Sequence, residues 1–422
     1  MPRNDCLRSS DAPERISRRS LLKGAAALAA APSALALAPA EASAASGPSL
    51  AYVGTYTSPE GPELGRGKGE GIYLFEMNRS TGALTQRKVV AHDTNPTWVA
   101  LDPSQSHLYV ACEAGNFRGD HSGSVTAYAI EPASGDLTLL NTVSSEGGGP
   151  CHVSVHPSGK YALVANFGGA TVAVLPIRPN GELGSASDVK HDVGKVRGID
   201  PTSAPAGKLA SFNHTSGPRA HMIQADPTGR FIFAVDLGLD QIYIWRLDLD
   251  KGTLLPNDPP AALLPPGDGP RHFAIHKNGR WLYSLQEQGS TVVWFELDPQ
   301  SGKLTEKQSL STLPAGYNGT NYPSEIVVSP DGRFVYAANR LHDSIAIYSI
   351  GDRGMMKFMD AVWTRGDYPR HININPSGDF LYSCNQRSDV ITAFRINRPT
   401  GMLTFTGHCT SVGTPACIVF LS

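Results

Sequence analysis

From Leu50 onward the chain alternates apolar and polar residues in short runs broken by turn signals, and the same block of alternation keeps returning. A period of two sends successive side chains to opposite faces of a strand, so each run predicts a β-strand. The block reads turn, apolar strand, second turn, alternating strand. It stands as "DPSQSHLYVACEAG" from Asp102, "HPSGKYALVANFGGATVAVLPI" from His156, "DPTGRFIFAVDLGLDQIYIWRLD" from Asp226 and "HKNGRWLYSLQEQGSTVVWFELD" from His276. It returns as "SPDGRFVYAANRLHDSIAIYSI" from Ser329 and "NPSGDFLYSCNQRSDVITAFRIN" from Asn375. A short strand opening after a proline precedes each copy, and a Thr-Gly-x-Leu or Asn-Gly-x-Leu type of turn leads into a fourth strand. No helical period is found after the first 44 residues.

Units of roughly 46 to 70 residues with four short antiparallel strands are propeller blades. The chain ends complete the count. "LAYVGTYT" from Leu50 is a second strand without a first, and "TPACIVFLS" at the C-terminus is a first strand without a second. Joined, they make one more blade and leave no open sheet edge. The expected fold is all-β: a seven-bladed β-propeller of four-stranded antiparallel blades, one domain over residues 45–422, closed by the C-terminal strand joining the N-terminal blade.

Length alone, 422 residues, would suggest two domains, but the repeats assign it to one. A formal charge of −2 supplies no basic field for nucleic acid, so a small molecule is the expected partner. Residues 1–44 differ from the rest: "SRRSLLKG" from Ser17, an Ala-rich run, then "EASAAS". Twin arginines, an apolar stretch and an Ala-x-Ala site read as a twin-arginine export signal cut near Ala44. That places the mature chain in the periplasm or outside the cell, with a formal charge of −4 and no membrane attachment. The alternative, an Ala/Pro-rich tail or anchor, has two prolines interrupting a run too short to span comfortably. The five cysteines left, Cys112, Cys151, Cys384, Cys409 and Cys417, are odd in number and hold no C-x-x-C pair, so most are read as buried apolar residues.

Candidate chemistry comes from what the repeats aim at the axis. "GPRHFAIHKNG" from Gly269 and "YPRHININPSG" from Tyr368 write Pro-Arg-His twice before a first strand. First strands lie nearest the channel of a propeller, so the position five before each turn proline forms a ring: Trp98, His152, His272, Glu325, His371 and Cys417. His221 falls one residue out of register unless a bulge absorbs it. The ends of the second strands give another ring: Thr55, Cys112 with Glu113, Asn166, Asp236, Gln286 with Glu287, Asn339 with Arg340, and Asn385. Arginine offers a fixed fork for carboxylate or phosphate, while His and Glu move protons near neutral pH. The set suits an anion-binding hydrolytic or isomerising pocket, with His152, Arg219, His272, Glu325, Arg370 and His371 contacting substrate. It also suits polar groups that satisfy one another around trapped water.

Other patterns add little. "GRGKGEG" from Gly65 opens no helix and reads as a flexible loop. There is no G-x-S-x-G elbow, and no compact spacing makes a metal site of His152, His272 and His371, so no metal or cofactor is expected. The insertion from Lys190 to His214 is a candidate pocket wall.

Together these residues resemble the seven-bladed propeller lactonases, a family that includes the bacterial propeller type of 6-phosphogluconolactonase and the fungal carboxymuconate lactonising cyclase. The resemblance covers Leu50 to Ser422 and is carried by "GPRHFAIHKNG", "EIVVSPDGRFVYAANRLHDSIAIY" and "PRHININPSGDFLYSCNQRSDVITAFRI". It implies a catalytic group of His221 in "GPRAHM", Arg271 in "GPRH", Glu287 in "LQEQG" and Arg340 in "AANR". Two positions depart from the family pattern: Arg219 stands where a first histidine of His-x-His often falls, and Gln286-Glu287 where Asn-Glu is usual. The implied function is hydrolysis of a sugar-acid lactone, and a monomer is expected. The alternatives are cycloisomerisation of a muconate-type dicarboxylate and a non-catalytic exported binding module.

Overall fold

The structure is a computed structural model, and it describes residues 49–59, 66–197 and 217–421. The export signal, His214 and most of the insertion before His221 lie outside the described residues. Among the described residues twenty-eight strands, numbered in chain order, form seven four-stranded antiparallel sheets. The innermost are β4 (Pro96–Leu101), β8 (Pro150–Val155), β12 (Ala220–Ala225), β16 (Pro270–Ile275), β20 (Pro323–Val328), β24 (Pro369–Ile374) and β28 (Pro415–Phe420). Each packs on the next around a ring. Their partners are β5 (His107–Cys112), β9 (Tyr161–Asn166), β13 (Ile232–Asp236), β17 (Trp281–Gln286), β21 (Phe334–Asn339), β25 (Phe380–Asn385) and β1 (Ser49–Thr55). The closing sheet is built as the chain ends implied: β28 pairs antiparallel with β1, Tyr52 opposite Val419 and Val53 opposite Ile418.

The apolar core is divided among the gaps between blades. One cluster sets Phe233 and Val235 of β13 against Phe273 and Leu282 of the next blade, and another sets Val53 of β1 against Tyr382 of β25. Both faces of each central strand are thereby covered, which is why those strands are nearly continuous apolar runs.

A repeated hydrogen bond locks blade to blade. The tyrosine at the middle of a second strand donates to the carbonyl of the turn glycine in the neighbouring blade: Tyr52 to Gly135, Tyr109 to Gly181, Tyr283 to Gly354, Tyr336 to Gly401 and Tyr382 to Gly82, at 2.7–3.0 Å. The glycine is required sterically. Gly401 has φ 73°, and a Cβ there would lie 2.3 Å from the Phe334 ring. The Thr-Gly-x-Leu signal of the sequence is therefore an inter-blade contact as well as a turn. Residues 66–71, expected to be a flexible loop, are tied down: Gly67 and Gly69 donate to the Ser58 and Tyr56 carbonyls, and the Lys68 amide to Thr414 Oγ1.

Candidate active site

Two backbone devices, each repeated around the ring, build the site. The first is a bulge at the second residue of every inner strand. Pro270 pairs with Gln286 and His272 with Leu285, which leaves Arg271 unpaired between them, and the same register shift recurs in all seven blades. A bulge brings two consecutive side chains toward one face. Blade by blade the bulged residue is Thr97, Cys151, His221, Arg271, Ser324, Arg370 and Ala416. In this register His221 is the equivalent of Arg271, and Met222 takes the place that His272 has in the next blade.

The second device follows each second strand. The next residue's amide donates back to the segment before the inner strand, as Glu287 does to Gly269, Arg340 to Tyr322 and Gln386 to Tyr368. This turn presents Tyr56, Glu113, Phe167, Leu237, Glu287, Arg340 and Gln386 at one mouth of the channel. The preceding residues of the second ring do other work. Asn339 ties its strand to the Thr312 carbonyl at 2.8 Å, and Asn166 does the same with Ser145 at 2.7 Å. Asp236 accepts from the Arg219 and Leu239 amides and lies against Asp192; burial raises both carboxyls, Asp236 raises Asp192 further, and the hydrogen bond from Asp192 pulls Asp236 back down.

The mouth itself gathers guanidinium groups around Glu287, while the second carboxylate there, Glu113, accepts from the Tyr56 hydroxyl at 2.7 Å. Arg271 Nε lies 3.2 Å from Glu287 Oε2, and Arg340 Nη2 pairs with the same oxygen. All three side chains are buried. Arg340 also donates to the Tyr322 and Pro323 carbonyls and packs on the Tyr322 and Tyr368 rings at 5.7 and 5.3 Å. Arg271 reaches the Ser324 carbonyl, and Arg370 lies over the Tyr56 ring at 5.1 Å. Burial, then Arg340 and Arg370, push Arg271 down to about 10. Positive charge is therefore in surplus where an anionic group would enter.

Beneath the mouth an aromatic and imidazole layer plugs the channel. His272 Nδ1 lies 3.0 Å from both oxygens of Glu325, and its Nε2 lies 3.2 Å from His221 Nδ1. His371 Nε2 is 3.5 Å from Glu325. Trp98 packs on His152 at 4.6 Å and meets His272 and His371 edge-on. Burial first, and the arginines and neighbouring histidines second, hold His152, His221 and His272 well below the usual imidazole range. His371 is pushed down to about 4 by burial, against the opposing pull of Glu325. These imidazoles are neutral at pH 7. On the far side of the plug a cavity of about 480 Å³ reaches Trp98, His152, Glu325 and His371.

The structure thus brings His221, Arg271, Glu287, Arg340 and Arg370 to one place. His152, His272, Glu325 and His371 form the layer behind them, and Arg219 lies over Phe167 at 5.5 Å on the rim. Sequence reasoning missed Tyr56, Tyr322 and Tyr368. The repeated Tyr-Pro before β20 and β24 was the available signal for the last two. Among the described residues no group of three or more His, Cys, Asp and Glu side chains is arranged to hold a metal ion.

The family model described as lactonase, 7-bladed beta-propeller, matches residues 50–420. The 6-phosphogluconolactonase of Bacillus subtilis is 34% identical over 373 residues, 88% of this chain and 98% of that protein. The 6-phosphogluconolactonase of Serratia proteamaculans is 29% identical over 67% of this chain and 75% of its own length. Among solved structures, the periplasmic gluconolactonase of Pseudomonas aeruginosa superposes with a TM-score of 0.78 at 28% identity, covering 89% of this chain and 99% of that one.

Proposed function

Given that the chain belongs to the lactonase family of seven-bladed β-propellers, we propose that it is an exported hydrolase of sugar-acid lactones. One observation carries the chemistry: buried arginines in surplus over their carboxylate stand beside a neutral imidazole. Arg271 and Arg340 hold an acidic group of the substrate and stabilise the oxyanion that forms on the lactone carbonyl. Glu287 keeps the two forks aimed. Because Glu287 is engaged by both guanidinium groups, His221 is the better general base. It takes a proton from water as the water oxygen bonds to the carbonyl carbon, then returns it to the ring oxygen as the C–O bond breaks, releasing the hydroxy acid. A lactone is an activated ester, so this scheme needs no covalent nucleophile.

Export is proposed from the twin-arginine pattern, and the periplasmic gluconolactonase relative supports it. An exported enzyme meets unphosphorylated lactones first, because phosphorylated sugars are made inside cells. Proton release by the mature protein, measured with gluconolactone, uronic lactones and 6-phosphogluconolactone, tests the reading. Turnover of none of them above the buffer control would sink it.

A further inference from the structure

We propose that His272 and Glu325 are positioning residues: a carboxylate–imidazole–imidazole chain that holds His221 in its Nδ1–H tautomer and leaves Nε2 as the lone pair that accepts the proton. Its activity arm rests on the lactonase reading above, while its tautomer arm does not.

The hydrogen bonds close on one assignment. The Ile418 amide approaches His371 Nδ1 at 3.4 Å, so that nitrogen is an acceptor and the proton of His371 sits on Nε2, toward Glu325. The Ile326 amide donates to Glu325 Oε1 at 3.0 Å. Glu325 is thus surrounded by donors, and His272 Nδ1, 3.0 Å from both its oxygens, carries the hydrogen between them. A neutral His272 then has its lone pair on Nε2. That lone pair faces His221 Nδ1 at 3.2 Å, so His221 must donate through Nδ1. The competing donor at this nitrogen, Cys151 Sγ, is farther away at 3.8 Å and lies 3.2 Å from the His221 carbonyl oxygen, where its hydrogen is better placed. A neutral imidazole with hydrogen on Nδ1 has one basic nitrogen left, Nε2. When His221 accepts a proton there, the Glu325 charge stabilises the cation through His272 against the repulsion of Arg271, Arg340 and Arg370. Glu325 also borders the cavity on the far side of the plug, so solvent reaches the outer end of the chain.

The test uses the mature protein with ¹⁵N-labelled histidine, Glu325→Gln and His272→Gln. Nitrogen chemical shifts, with His221 assigned by its loss in His221→Gln, are expected to show the Nδ1–H tautomer in the wild type and the Nε2–H form gaining in His272→Gln. A wild-type His221 protonated on Nε2 overturns the proposal, whether or not lactones are hydrolysed. In kinetics both relay variants are expected to lose kcat, about 10- to 100-fold, within what a general base supplies, with KM little changed. In Glu325→Gln the acid limb of kcat/KM moves to lower pH, because an anion that favoured imidazolium is gone. Unchanged kcat and unchanged pH profile in both variants, with melting temperatures near the wild type, also overturn it. A wild type inactive on every lactone sinks the proposed function, and the tautomer measurement still decides the relay.

Discussion

Arg340 donates to two backbone carbonyls, pairs with Glu287 and packs against two tyrosines, whereas Arg271 shares the same carboxylate with fewer ties to the scaffold. Arg271→Lys keeps a cation but loses the fork. We expect about a hundredfold loss in kcat/KM with almost no change in melting temperature, since Arg340 still neutralises Glu287. Arg340→Ala leaves a buried carboxylate half-paired and removes the side-chain donors to the Tyr322 and Pro323 carbonyls, although Tyr322 keeps the amide of residue 340, so a loss of about 3–5 kcal/mol is expected in denaturant titration. A large stability loss in Arg271→Lys with activity retained would make Arg271 a structural residue. The plug has its own pH signature. His152 is held well below the 6.5 of a free imidazole, so below pH 6.5 the unfolded chain binds a proton that the folded chain refuses. Stability therefore falls as pH falls through that window, by up to about 1.4 kcal/mol per pH unit for one such histidine. Glu325, raised by burial, works in the opposite sense. His152→Phe should melt less steeply with acid than the wild type between pH 6.5 and 4; parallel curves would show that His152 is not a source of the acid sensitivity.

At the scale of the element, strand and turn serve several ends at once. The bulge at position two of the inner strands is what turns a repeated Pro-Arg-His into paired mouth and plug residues, Arg271 above His272 and Arg370 above His371. The tyrosine-to-glycine bonds between blades give a direct stability test. Tyr336→Phe leaves the buried Gly401 carbonyl without its donor and should cost about 1–3 kcal/mol, with lactone turnover unchanged because the contact lies outside the mouth and plug. Leu163 of β9 and Phe233 of β13 stand at the equivalent positions, so two neighbouring blades are built without this bond. No measurable change in Tyr336→Phe would mean that ring packing alone holds the blades.

For the whole molecule, closure is the main constraint. β28 comes from the far end of the chain, yet it supplies the inner strand beside β1 and places Cys417 in the plug next to His371. A chain ending at Thr414 exposes the inner edge of β1 and the apolar gaps on either side of it. It should lose its cooperative thermal transition and associate in solution, as read by circular dichroism and size-exclusion chromatography. A sharp melt near that of the full chain would show that the ring closes without its clasp.

The blade count and the closing strand were legible because they depend on local alternation, turn residues and chain ends, all of which are written linearly. His221, Arg271, Glu287 and Arg340, the residues that the family resemblance implied, also lie near one another at the mouth. What sequence could not supply was register across the bulge. Counting back from the turn proline puts His221 one residue off the ring position of His272, but does not show that a bulge in every blade makes that neighbouring position, shared by Arg271, a place for functional side chains. Nor did it separate Asn339, which braces a blade, from Arg340 beside it, which enters the mouth, since the turn that divides them is made by backbone hydrogen bonds. The ordering of His221, His272 and Glu325 into a chain is of the same kind. Their side chains come from three blades, and the distances that set which nitrogen carries hydrogen exist only once the ring has closed.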